Sequence, residues 1–175
     1  MKKVIVYETA QQKQLLELSL GRSLPNTVKS LVGGSQEAAL SAVRSLRVKG
    51  GFQALLLLDI TGKEGQEIEE QLHQTVDLIE QIPSTVPVKL ITFEPSLDHV
   101  LLSSKHILEE VLEQPITQTE FDGYRNSDQP VLQHFSVKTR NLTKKRLFRK
   151  VEPLLQEKAK TLPEMEEIKA WITAS

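Results

Sequence analysis

Residues 54–58, Ala-Leu-Leu-Leu-Leu, form an unbroken apolar run that ends abruptly on Asp59. A run of strand length with no polar alternation suits a strand buried on both faces, as in a parallel sheet covered by helices. Similar runs stand at residues 2–7, 27–32 and 88–93, the second of them weaker than the others. Between the runs the period becomes helical. Residues 9–20 read as a helix stopped by Gly21 and Pro25, and residues 36–47 as a second one, with Ala38, Ala39, Ala42, Val43 and Leu46 in a small apolar stripe. Over residues 64–82 the predicted buried stripe is Ile68, Leu72, Val76 and Ile79, with Glu67, Glu69, Glu70 and Gln74 turned to water. Ser96 is placed to cap a long helix reaching about residue 113, with Leu97, Val100, Leu101, Leu108, Val111 and Leu112 facing inward.

The remainder is less regular. Residues 114–129 are polar and rich in turn formers, which predicts a mobile surface segment; residues 131–137 read as a short strand. A basic helix follows over residues 142–160, and Pro163 opens a final short helix carrying Trp171. Strand and helix thus alternate four times before a helical tail. That order predicts an α/β fold: a mainly parallel four-stranded sheet with right-handed crossovers and helices on both faces. A single domain is expected over residues 1–175, with its core in 1–113, the mobile segment and candidate strand in 114–140, and C-terminal helices in 141–175.

Composition narrows the picture only a little. With 175 residues, 39% of them hydrophobic, 26% charged and a formal net charge of -1, the chain has the make-up of a globular domain with a real core. Only a local basic patch, not the overall charge, can speak for nucleic acid. There is no cysteine, which excludes disulfides and thiolate metal sites. The apolar stretch near the start is too short for a signal-peptide core, and no run approaches a membrane span. A cytoplasmic protein with no membrane association is the expectation.

Three of the strand ends carry acids: Glu8, Asp59 and Glu94. Strands of a parallel sheet present their carboxyl ends on one edge, where open α/β sheets place ligands and chemistry. The three carboxylates are therefore expected to gather there. Carboxylates without His or Cys suit a hard cation such as Mg²⁺, which takes one or two of them and completes its shell with water and substrate phosphate. The alternative is that these acids only cap turns and helices.

The pieces VIVYE ending at Glu8, VGGS at residues 32–35, LLLLDIT around Asp59 and LITFEPSLDHVL after the fourth strand resemble the TOPRIM domain. That is the metal-dependent module of topoisomerases, bacterial primases and OLD-family nucleases. The Leu162-Pro163 to Trp171 tail is similar to that of small stand-alone members, so the resemblance covers most of the chain. It implies a TOPRIM-like fold, Glu8 in acid–base chemistry, and Mg²⁺ bound after the third strand. Two positions depart from the family pattern. Thr9 stands where a glycine is common, and Thr61 stands where a second aspartate would bind the ion. A hydroxyl offers a dipole where a carboxylate brings a charge, so Mg²⁺ binding is expected to be weak or absent. Asp59 and Glu94 are the candidate ligands, with Glu64 as a possible substitute for the missing acid.

A second feature is residues 138–150, KTRNLTKKRLFRK, with seven basic residues and no acid. Lys145, Arg146, Arg149 and Lys150 form a candidate patch for nucleic-acid phosphates. The alternative is a solvated helix face, or one paired with Glu164, Glu166 and Glu167 of the tail. Gly33, Gly34 and Ser35 open a helix whose amino end can hold a phosphate, although the lysine and spacing of a P-loop are missing. His99 and His106 lack a third ligand, so zinc is not expected. The leading expectation is Mg²⁺-assisted, nuclease-type phosphoryl chemistry on nucleic acid. The alternatives are a non-catalytic binding or protein-interaction module, and a small-nucleotide-binding α/β domain.

Overall fold

A computed structural model describes residues 2–21, 24–60, 65–135 and 148–174. Four strands, β1 (Lys2–Tyr7), β2 (Val28–Val32), β3 (Phe52–Asp59) and β4 (Val88–Phe93), form one parallel sheet in the order β2-β1-β3-β4. Helices α1 (Ala10–Leu20), α2 (Gln36–Lys49) and α3 (Gln66–Glu80) provide the crossovers, as the alternating pattern predicts.

The pleat divides the apolar runs between two cores. Ile5, Tyr7, Leu55, Leu57, Ile91 and Phe93 point to the larger core, together with Leu15 and Leu16 of α1. Val4, Val6, Ala54, Leu56 and Leu58 point the other way, against Ala39, Val43 and Leu46 of α2 and Ile79 of α3. Both faces of the central strands are covered, which is why their sequence shows no alternation.

Several expectations are corrected. The helix expected from Ser96 to residue 113 is two helices, α4 (Leu97–Leu101) and α5 (Lys105–Leu112). Ser103 Oγ donates to the Val100 carbonyl at 3.0 Å at the break, a local bond that competes with the helical ladder. The segment expected to be mobile contains α6 (Gln118–Arg125). Thr117 and Glu120 form a reciprocal capping box at its start, and Phe121 and Tyr124 are buried one turn apart. The predicted strand at 131–137 is instead a helical turn where it is described, α7 (Val131–His134), with Gln133 N and His134 N donating to the Pro130 carbonyl.

The basic helix is interrupted at Val151, because α8 (Glu152–Ala159) carries Pro153 in its first turn and restarts there. The final helix is α9 (Pro163–Thr173), opened by Pro163 as expected. On α3 Ile79 of the expected stripe is buried, but Val76 is exposed and Thr75 beside it is covered instead. Nor does the core stop at residue 113. Ile116, Tyr124, Val131, Phe148, Leu155 and Ile168 belong to the same cluster as Ile5 and Leu57.

Candidate functional site

The carboxyl edge of the sheet is built by the register. Tyr7 pairs with Val32 and with Leu57, and Asp59 pairs with Phe93, so Glu8, Gly33, Asp59 and Glu94 all leave the sheet on one side. Glu8 and Asp59 come together there. Glu8 Oε1 accepts the backbone N–H of Asp59 at 2.8 Å. Asp59 Oδ1 accepts two donors, Gln12 Nε2 at 3.1 Å and the backbone N–H of Leu97 at 2.9 Å. The second bond ties the end of β3 to the first residue of α4.

Both carboxyls are half-buried, and their protonation reflects it. Burial pushes Glu8 up to about 7; the Asp59 N–H opposes this, while the negative charges of Asp59 and Glu37 add to it. Burial also raises Asp59 to about 6, against the donors from Leu97 and Gln12. Desolvation disfavours the charged form of an acid, and two neighbouring carboxyls reinforce the effect. The pair therefore changes charge near neutral pH, where an acid–base group is useful.

A consequence for stability follows from the direction of the shift. A carboxyl raised in the folded state holds its proton more tightly than in the unfolded chain, so stability falls as pH rises between the two values. For Glu8 that window runs from 4.5 to about 7. Glu8→Gln keeps an oxygen for the Asp59 N–H but removes this cost. Thermal melts should find the variant more stable than wild type at pH 8 and indistinguishable from it at pH 4. Equal differences at both pH values would show that Glu8 is not the group responsible.

Glu94 does not join the pair. It is exposed, on the wall of a cleft of about 300 Å³ that also includes His99, Tyr124 and Arg125. Among the described residues no three Asp, Glu or His side chains gather as a cation site. Glu64 and Thr61 lie outside the described residues, as do Lys145 and Arg146. Of the basic patch, Arg149 and Lys150 are described and exposed. Lys150 pairs with Glu113, not with the tail acids named above, and Glu167 of the tail pairs with Lys89 at 2.9 Å.

A divalent ion finds a limited donor set here. Glu8 and Asp59 each commit one oxygen to N–H donors, and their second oxygens have no hydrogen-bond partner among the described residues. Two half-buried carboxyls kept above their ordinary pKa by burial, with the charge of Asp59 adding to Glu8 and that of Asp98 to Asp59, are what a cation would relieve. They meet the minimum of one or two carboxylates for Mg²⁺ with substrate oxygens completing the shell.

The Gly33–Ser35 turn is committed to the fold. Gly33 N and Gly34 N donate to the Tyr7 and Glu8 carbonyls, each at 2.8 Å, and Ser35 Oγ accepts from Ala38 N. Gly33 packs so closely that a Cβ there would lie 2.5 Å from Ala39 N. The two glycine amides that a phosphate would need are therefore occupied.

Two features escaped the sequence reading. Gln12 bridges the acids, and its signal was present: Thr9-x-x-Gln12 has the spacing of a capping box. The other is a buried network at the start of α4. Asp98 Oδ1 accepts from Ser96 Oγ, from His99 N at 3.0 Å and from His99 Nδ1 at 3.3 Å, while Oδ2 accepts Val131 N at 3.0 Å. No known protein family, curated protein or solved structure matches the chain.

Proposed function

We propose that the chain is a TOPRIM-like module performing metal-assisted phosphoryl chemistry on nucleic acid, with Glu8 as the acid–base group and Asp59 as a cation ligand. The observation that carries this reading is the joined pair itself: Glu8 bonded to the Asp59 N–H at 2.8 Å on the carboxyl edge, its carboxyl raised to about 7. A group with that pKa exchanges a proton at neutral pH with little driving-force penalty in either direction. Bound Mg²⁺ would polarise a phosphoryl oxygen and favour attack on phosphorus. The chain's own contribution is to hold Glu8 beside the Asp59 backbone, so that its second oxygen can take a proton from an attacking water or return one to a leaving oxygen. The exposed Arg149 has no ion pair among the described residues and supports phosphate contact.

The test is hydrolysis of single-stranded and duplex oligonucleotides with Mg²⁺ or Mn²⁺. Glu8→Gln should lower the rate by about 100-fold or more and remove the limb of the pH–rate profile near pH 7. An unchanged rate in that variant would remove Glu8 from the mechanism.

A second reading, a binding module that keeps the fold without the chemistry, is favoured by one observation. Asp59 Oδ1 is already engaged by Gln12 and Leu97, the work of a structural carboxylate. Wild-type protein that binds oligonucleotides without hydrolysing them under any metal condition would select this reading.

A further inference from the structure

Gln12 is 2% exposed, at the third position of α1, yet its side chain does not close an ordinary capping box. Its backbone N–H is held by Thr9 Oγ1 at 3.1 Å, as the motif requires. The side chain, however, reaches one residue further back than the N-cap. Gln12 Oε1 accepts from Glu8 N at 3.0 Å, and Nε2 donates to Asp59 Oδ1 at 3.1 Å. The chemistry of the partners fixes the orientation of the amide. A backbone N–H can only donate and an ionised carboxylate can only accept, so the oxygen must face Glu8 and the nitrogen Asp59. Glutamate would satisfy the first bond but set like charges against each other at the second. A hydrocarbon would satisfy neither. Only a side chain with an acceptor and a donor at this reach spans both strand ends.

We infer that Gln12 is the positioning residue of the Glu8–Asp59 pair, fixing the Asp59 carboxylate so that Oδ2 is the oxygen presented to a ligand. This rests on the reading of the pair as a reactive site. Leu97 N and Gln12 Nε2 converge on the same oxygen from α4 and α1, and two donors on one oxygen define the carboxylate plane. Withdrawing Gln12 leaves one donor, about which the carboxylate can turn. Partners that orient a ligating group in this way typically change metal affinity by 10–100-fold when removed.

The experiment uses the full chain and two readouts. In metal-free protein, the Asp59 side-chain rotamer is measured by NMR couplings in wild type, Gln12→Met and Gln12→Glu. The inference expects one fixed rotamer in wild type and averaging in both variants, with the Glu8 amide shift retained in Gln12→Glu alone. Gln12→Glu also serves if Gln12→Met does not fold. A fixed Asp59 rotamer in the variants overturns the inference, whatever the wild type does with metal. In the second readout, Mn²⁺ titration should give a dissociation constant raised about 10-fold in folded Gln12→Met. A variant with a lower melting temperature but an unchanged constant would make Gln12 merely structural and overturn the inference. If wild type gives no Mn²⁺ response, the functional reading fails separately, and the rotamer measurement still decides the role of Gln12.

Discussion

Asp98→Ala should be the most damaging single substitution outside the strands, costing about 3–5 kcal/mol, with a melting temperature lower by ~10 °C. Asp98 and His99 are 5% and 6% exposed, so bulk solvent replaces little of what is lost. Burial alone would raise Asp98, but the bonds from His99, Ser96 and Val131 N outweigh it and hold the carboxyl below its ordinary value. Burial likewise would lower His99, yet Asp98 and the carbonyls of Ser127 and Tyr124 bring it above its ordinary value. The ring stacks on Tyr124 at 4.4 Å, and Val131 N fastens α7 to the same carboxylate. Removing Asp98 strands a buried cation and an N–H together. Asp98 contributes above its unfolded value of 3.8 and His99 below its unfolded value of 6.5. The difference between wild type and variant should therefore be largest between those values and shrink as pH falls below or rises above them. A difference independent of pH would contradict the ion pair.

The second large effect is expected at Lys3. This lysine lies in β1, is only 7% exposed, and donates to the carbonyls of Trp171 at 2.6 Å, Ile172 at 3.1 Å and Ala174. An ammonium has three donors, and here they meet three carbonyls at the C-terminal end of α9, where the helix dipole also favours a cation. The Trp171 ring adds a face 5.3 Å from the charge. Lys3→Met keeps the stem and deletes the charge, so the loss of charged hydrogen bonds should cost about 2–4 kcal/mol. The loss should be local: hydrogen exchange should accelerate in α9 far more than in β1 and β3. Unchanged protection in α9 would show that the helix is held by Met165 and Ile168 without Lys3.

These two anchors mark where sequence reading stops. The sheet was legible because strands covered on both faces must be continuously apolar, and 54–58 can be little else. Glu8 and Asp59 were legible by position, since a parallel sheet delivers its carboxyl ends to one edge. Glu94 shared that position but not its surroundings, because exposure is set by the cleft that α4 and α6 form, not by the strand. The α4–α5 break was hidden because both halves keep one apolar period across it, and only the two serines mark the change. Helix α6 is signalled in the sequence only by the capping box Thr117-x-x-Glu120, because its polar turn formers mask Phe121 and Tyr124. Lys3 and the Asp59 end of Gln12 have no sequence signal for a different reason. Each is a polar residue buried by partners that lie far away in sequence, 168 to 171 residues for Lys3 and 47 for the Asp59 end of Gln12.

The claim on which the functional reading depends is that Asp59, beside the acid–base group Glu8, holds a divalent ion. Calorimetric titration of Mn²⁺ into wild type and Asp59→Ala tests it most directly. Weak, saturable binding to wild type that disappears in Asp59→Ala is the expected result. Absence of binding to wild type, or equal binding to both proteins, would contradict it.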